Sequence, residues 1–320
     1  MKAGSKLKGR RVLVTGAEGF IGRNLVPMIR NTGCILTAVG RKDGDLLEQA
    51  EVRRLMREVR PEVVFHLAGL IGGIMANKLR PADFCYENLL MNTVVMHESW
   101  RAKVDKYITL MGGCSYPGTA PNPIPEEELW NGYPQAESAP YSVGKRMNVV
   151  MADAYRRQYG FNAVVLMPGN VYGPHDDFDL NNSHVIPALI RKFSEAVRDG
   201  KGEVGAWGTG RPVRDFVYIE DVCEAVLLGA DSYDASEIVN ISSGVPTTIR
   251  ELTELVAELS GFSGRIVWDD SKPDGQMLKG YDVRRMKERL RFTPKIPLRL
   301  GLEKTIAWYR ASLMAIKPQA

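Results

Sequence analysis

The stretch Arg11-Val12-Leu13-Val14-Thr15-Gly16-Ala17-Glu18-Gly19-Phe20-Ile21-Gly22 decides the fold. Its first five residues form a short run, mostly aliphatic, as expected of a strand buried on both faces. The next seven carry glycines at G-x-x-G-x-x-G spacing, and Ile21 to Arg30 reads as a helix. A strand, a glycine turn and a helix in this order let backbone N–H groups at the helix N-terminus approach a pyrophosphate. Gly16, Gly19, Phe20, Ile21 and Gly22 are therefore expected to cradle a dinucleotide. The second strand ends near Val39, and Gly40-Arg41-Lys42 follows. An acidic residue here would take a ribose 2′-hydroxyl, whereas two cations suit a 2′-phosphate. NADP is expected over NAD, with Arg41 as the contact, against the opposing charges of Asp43 and Asp45.

Outward from this unit the pattern repeats. Short apolar runs at Cys34–Val39, Val63–Leu67, Lys106–Leu110 and Ala163–Met167 alternate with helix-like segments at Leu46–Arg60, Ala82–Ala102 and Ser142–Tyr159. Such alternation predicts an α/β fold, a Rossmann-like doubly wound parallel sheet. Pro27 falls inside the first helix and should kink it. After about residue 175 the pattern loosens into loops rich in Gly, Pro and Asp, with helices at Ile249–Leu259 and Leu302–Leu313 and a buried strand at Ile238–Ile241. We expect a cofactor-binding domain over 1–175, with returning segments near 213–245, and a smaller α/β substrate-binding region mainly over 176–320.

Composition narrows the class without selecting a function. With 44% hydrophobic and 25% charged residues in 320, the chain can bury a sizeable core. A net charge of +4 with no basic block argues against nucleic acid as partner and mildly for anionic small ligands. No apolar run is long enough for a membrane helix, and no secretory signal is expected. The four cysteines (Cys34, Cys85, Cys114, Cys223) are scattered with no C-x-x-C pair, so neither a metal site nor a disulfide framework is expected. A reducing cytoplasm is the expected setting.

Tyr141-Ser142-Val143-Gly144-Lys145 opens a helix with Y-x-x-x-K spacing. Residues i and i+4 share a helix face, so the lysine ammonium can lower the tyrosine's pKa and hold a nicotinamide ribose. With the glycine turn upstream, the chain resembles the extended short-chain dehydrogenase/reductases of the NAD-dependent epimerase/dehydratase type. The landmarks are TGAEGFIG (15–22), HLAG (66–69), YSVGK (141–145) and PGNVYGPHD (168–176). Further stretches, GGIMANKLRPADFCYENLLMN (72–92), GGCSYP (112–117), NSHVIPALIRKF (182–193), WGTGRPVRDFVY (207–218) and SKPDGQ (271–276), resemble its GDP-L-fucose synthase branch.

The resemblance implies an NADP-dependent enzyme that epimerises a GDP-4-keto-6-deoxy sugar at C3 and C5 and then reduces its 4-keto group. It implies Cys114 and His184 as the acid–base pair, Tyr141 and Lys145 as the reductive pair, and Leu67, Ala68, Pro168, Asn170 and Val171 along the cofactor. Asn170, His184, Arg191, Lys192, Trp207, Arg214 and Lys279 are implied as contacts to the GDP-sugar. Ser183 is a candidate cap for the helix after His184. His66 is expected to be strand-end structure, His97 a helix-face residue, and His175 part of a cofactor-side loop. Residues 118–140, proline-rich and acidic, read as an ordered loop over the site or as a plain surface excursion. A homodimer through the 82–102 and 142–159 helices is also implied, with Leu89, Val94, Val95, Val150 and Met151 on their faces.

One departure stands out. The resemblance implies a serine or threonine two residues before Cys114, donating to the substrate carbonyl, and this chain has Gly112 there. Ser115, Thr109 or a water could substitute, although strand alternation points Ser115 away from the side that Gly112 faces. The departure keeps a second reaction open: a GDP-sugar epimerase that retains NAD(P) without net reduction. A non-catalytic, NADP-binding redox sensor is a third reading, and Tyr141 with Lys145 speaks against it.

Overall fold

The computed structural model describes residues 3–180, 182–272 and 274–316. Six strands form one parallel sheet: β1 (Arg11–Thr15), β2 (Ile35–Val39), β3 (Val63–His66), β4 (Lys106–Leu110), β5 (Ala163–Pro168) and, far along the chain, a strand at Val239–Ile241. Their order is β2-β1-β3-β4-β5 and then Val239–Ile241, with Val14 opposite both Ala38 and Phe65. From β1 the chain steps to β2 on one side and then crosses to β3 on the other. The switch between β1 and β3 opens a crevice at the strands' C-terminal ends, where ligands of such sheets bind. β3, β4 and β5 are buried along their whole length, which accounts for their unalternating apolar sequences.

The connecting helices are α1 (Phe20–Arg30), α2 (Gln49–Val59), the short α3 (Ile74–Leu79), α4 (Pro81–Arg101) and α5 (Ala139–Tyr159). α4 begins on a proline, and α5 ends on Gly160 in a left-handed conformation. α1 runs through Pro27 to Arg30. Pro27 lies on the exposed face, where water can serve the carbonyl that lacks its N–H partner. α3 was not anticipated from the sequence.

After β5 the chain builds a cap. β6 (Asn170–Tyr172) and β8 (Val213–Tyr218) pair in parallel, β10 (Pro246–Thr248) and β12 (Leu278–Lys279) flank β8, and β7 (Glu203–Trp207) pairs with β11 (Arg265–Asp269). α6 (Val185–Arg198), α8 (Ile249–Leu259) and α9 (Leu298–Ile316) surround them. α8 starts on a capping box in which Thr248 and Glu251 serve each other's backbone N–H groups. Between these elements α7 (Ile219–Ser232) and β9 (Val239–Ile241) return to the main sheet, β9 pairing with β5. Residues 118–140 are ordered: Ile124 and Leu129 are buried, and Glu126 accepts the Asn240 N–H at 3.0 Å. Among the described residues no helix is long and apolar enough to cross a membrane.

Candidate functional site

The three glycines of the first turn have separable jobs. Gly16 sits at φ +71°, and a Cβ there would lie 2.5 Å from the Ala68 nitrogen and 2.8 Å from the Leu67 carbonyl carbon. A Cβ on Gly22 would lie 2.8 Å from the Ala17 backbone and closer still to the Gly16 carbonyl oxygen. These two let the turn, the β3 end and α1 pack backbone on backbone. Gly19 differs, because a Cβ there would meet only the Gly16 oxygen, at 3.4 Å. The space over Gly19, at the N-terminus of α1, is open and suited to a pyrophosphate. The cradle therefore fits a dinucleotide.

At the end of β2, Asp43 accepts the Gly40 N–H at 2.7 Å and Asp45 accepts the Leu47 N–H at 2.9 Å. Both acids are thus occupied in local turns, and Arg41 is exposed beside them. Sequence reasoning missed Glu18. A Cβ on Gly40 would lie 2.5 Å from its carboxylate carbon, so this negative charge hangs over the position where Arg41 begins.

The catalytic candidates gather where β4 ends. The turn Gly113–Ser115 is clamped to α5: Ser142 donates to the Cys114 carbonyl at 3.1 Å, and Arg146 donates to the Ser115 carbonyl at 2.8 and 2.6 Å. Tyr141 lies in the first turn of α5, its ring edge-on to Phe84. A Cβ on Gly112 would lie 3.4 Å from the Cys114 Sγ and 3.6 Å from the Tyr141 Oη. Gly112 itself is extended, at φ −94° and ψ 150°, so its backbone does not require glycine. Lys145 is buried one turn along, and a Cβ on Gly69 would lie 3.1 Å from both its Nζ and the Asn88 Oδ1.

The electrostatics differ from expectation in one respect. Burial pushes the Tyr141 phenol above its ordinary range, the nearby Cys114 adds to this, and Lys145 gives no counter-shift. Desolvation lowers Lys145 to about 8, against a raising contribution from Cys114. With burial and Cys114 both acting upward, Tyr141 stays protonated at neutral pH.

His184 occupies the N-cap position of α6, and Ser183 does not cap it. Pro187, third residue of that helix, has no N–H for a cap to serve, and among the described residues the imidazole makes no capping hydrogen bond. Desolvation lowers its pKa, opposed by Asp177, so the ring is neutral at pH 7. Among the described residues no hydrogen bond joins it to Cys114, Tyr141 or Lys145. The other histidines are structural. His66 is buried between Thr15 (2.7 Å) and Asn92 (3.0 Å), His97 meets the Tyr155 hydroxyl at 2.7 Å, and His175 packs edge-on against Trp308 of α9.

On the cap side, Arg214 and Lys279 are direct partners in the β8–β12 register. Arg214 donates to the Gln276 carbonyl at 2.6 Å, while Lys279 has no hydrogen-bond partner among the described residues and lies within electrostatic reach of Cys114. Two adjacent cations, one of them unpaired, suit an anionic ligand. Farther out, Trp207 is 66% exposed rather than a core aromatic, with the Lys192 ammonium 5.5 Å from its ring centre. Arg191 is engaged by Glu195 at 2.9 Å and the Phe178 carbonyl at 3.1 Å. Asn170 donates to the Asp215 carbonyl at 2.8 Å. Among the described residues no cluster of His, Cys, Asp and Glu could hold a metal ion.

A second missed residue, Tyr281, reaches the Gly113–Ser115 turn from the cap. Its phenol lies against Gly113, within electrostatic range of Cys114. The available signal was the second glycine of the Gly112-Gly113 pair.

Residues 12–242 match the profile of the NAD dependent epimerase/dehydratase family. A probable GDP-L-fucose synthase 1 from Oryza sativa subsp. japonica is 40% identical over 97% of this chain and 95% of its own length. Among solved structures, a GDP-D-glycero-L-gluco-heptose synthase from Campylobacter jejuni, crystallised in the presence of NADPH, superposes with a TM-score of 0.88 at 28% identity, covering 94% of this chain and 98% of the other. A GDP-L-fucose synthetase from Naegleria fowleri bound to NADP gives 0.86 at 26% identity, covering 96% of each. On the glycine cradle, the Tyr141–Lys145 pair and a match along nearly the whole chain, the protein belongs to the NAD-dependent epimerase/dehydratase family, on the branch that carries the GDP-L-fucose synthases.

Proposed function

We propose that this enzyme is an NADP-dependent epimerase/reductase acting on a GDP-linked 4-keto-6-deoxy sugar. The observation that carries this reading is the joining of two half-sites. Cys114 lies beside Tyr141 on one side and within electrostatic reach of Lys279, the strand partner of Arg214, on the other. The first set serves a ketone and its flanking carbons, and the second serves a diphosphate.

A ketone acidifies its neighbouring C–H bonds, and inverting a centre needs proton removal and return on opposite faces. Cys114 and the neutral His184 would move those protons at C3 and C5. Tyr141, held protonated by burial, would stabilise the enolate oxygen and then protonate O4. Lys145 would hold the nicotinamide ribose, and Arg41 the 2′-phosphate. NADPH, when bound, supplies the hydride. Residues 1–175, with α7 and β9, would hold the cofactor, and 176–320 mainly the nucleotide sugar.

Leu89 and Val150 support a homodimer through α4 and α5, being 40% and 47% exposed, whereas Val94 and Val95 turn inward. Sedimentation of the full chain tests this. Four free cysteines fit a cytoplasmic setting. Gly112 alone favours the second reading, an epimerase that retains its cofactor without net reduction. A thermal-shift panel of GDP-, UDP-, CDP- and dTDP-sugars with NADP or NAD tests the ligand assignment. The largest stabilisation is expected with a GDP-sugar and NADP together, and equal response to all four nucleotides would overturn it.

A further inference from the structure

A carbonyl oxygen gaining charge is best held by two aimed donors, and a single missing donor costs about 10²–10³ in rate. Tyr141 is one donor, and Gly112 offers no second. The candidates on β4 and its turn are excluded by the structure. Thr109 is fully buried and donates to the His66 carbonyl at 3.1 Å. Ser115 is likewise fully buried, and its hydroxyl is sealed from solvent.

Tyr281 is placed differently. It follows β12 and is held from both sides by the 118–140 loop: the Ile124 N–H donates to the Gly280 carbonyl and the Asp282 N–H to the Ile124 carbonyl, each at 2.9 Å. Its ring stands between the ends of β4 and β5. A Cβ on Gly169 would lie 2.8 Å from its Cε2; a Cβ on Gly113 would lie 2.6 Å from its Cζ and closer still to its Oη. Gly113 has no positive φ to require glycine, so its missing side chain is room for this phenol. The hydroxyl has no hydrogen-bond partner among the described residues, and burial keeps it protonated.

We propose that Tyr281 supplies the second hydroxyl to the substrate's carbonyl oxygen, in place of the side chain missing at Gly112. The glycine pair and the tyrosine are then one device, in which Gly113 admits the phenol and Gly112 leaves the oxygen for it to reach. The inference rests on the 4-keto substrate proposed above.

The test compares the wild type, Tyr281→Phe, Gly112→Ser and the double variant with GDP-4-keto-6-deoxymannose and NADPH. Phenylalanine keeps the ring, so the fold should hold, and melting temperature checks this. For Tyr281→Phe we expect kcat for NADPH oxidation to fall about 10²-fold with KM for NADPH unchanged. In the double variant a serine at 112, whose Cβ has room beside Tyr141, should restore at least a tenth of the wild-type rate. An unchanged kcat in Tyr281→Phe would overturn the proposal, as would a loss that Gly112→Ser does not rescue. If the wild type itself turned over no GDP-4-keto sugar, the functional reading would fail instead, and the two failures are distinct.

Discussion

Gly16→Ala and Gly19→Ala should separate a packing glycine from a ligand-facing one. At Gly16 the new methyl meets two penalties: φ of +71° is left-handed, and backbone atoms of Leu67 and Ala68 lie 2.5–2.8 Å away and cannot rotate aside. The left-handed penalty is about 1–2 kcal/mol and overpacking against an immobile neighbour adds about 1–3 kcal/mol. A loss of about 2–5 kcal/mol, at an unfolding entropy of ~2.1 cal/mol/K per residue, lowers Tm by roughly 3–7 °C in a chain of this size. Gly19 has φ −76° and ψ 174°, open to any residue, and only the Gly16 oxygen at 3.4 Å. Its methyl should leave the Tm of the cofactor-free protein unchanged or slightly raised. It should instead weaken NADPH binding by the equivalent of one charge-assisted hydrogen bond, about 1.5–3 kcal/mol or roughly 10–150-fold in Kd. Thermal melts without cofactor and NADPH fluorescence titrations read the two effects. Equal destabilisation by both substitutions, or unchanged NADPH affinity in Gly19→Ala, would refute this division of labour.

Three further predictions follow from the site. Lys145 is held at about 8 in the fold against 10.5 when free, so the unfolded chain binds an extra proton between those values and this group's penalty, fully present below pH 8, fades as pH rises. Lys145→Met should therefore melt higher than wild type at pH 7 without cofactor, by an amount that shrinks towards pH 10; a pH-independent gap would contradict this. Arg41→Ala should lower the NADP-to-NAD affinity ratio and Glu18→Gln should raise it, since the Glu18 carboxylate lies over Gly40, the neighbour of Arg41 in the chain; ratios unmoved in both would show that neither faces the ribose. Cys114→Ala should abolish solvent deuterium exchange into the sugar, about 10²–10⁴-fold, while leaving NADPH affinity intact; exchange at the wild-type rate would remove Cys114 from proton transfer.

The main sheet was legible because its strands are short apolar runs between glycine turns and helices, a pattern set locally. That the first helix carries on past Pro27 was not legible, since it depends on which helix face the ring occupies, and only packing decides that. The proposed reductive pair was readable as a pair because both members share one helix, as Tyr141 and Lys145 do. The positions of Tyr281 and Glu18 were not, because each is set by a contact with a distant part of the chain: Tyr281 with Gly113, Glu18 with Gly40. The direction of the Tyr141 shift was likewise beyond spacing arguments, since i and i+4 geometry says nothing about desolvation.

The central claim is that one site both epimerises and reduces. Incubation of the enzyme with GDP-4-keto-6-deoxymannose and NADPH in D2O tests it in a single product analysis. The account predicts one NADPH oxidised per product molecule, with deuterium at both C3 and C5 of the sugar. Deuterium without NADPH oxidation would establish the cofactor-retaining epimerase instead, and neither signal would contradict the account outright.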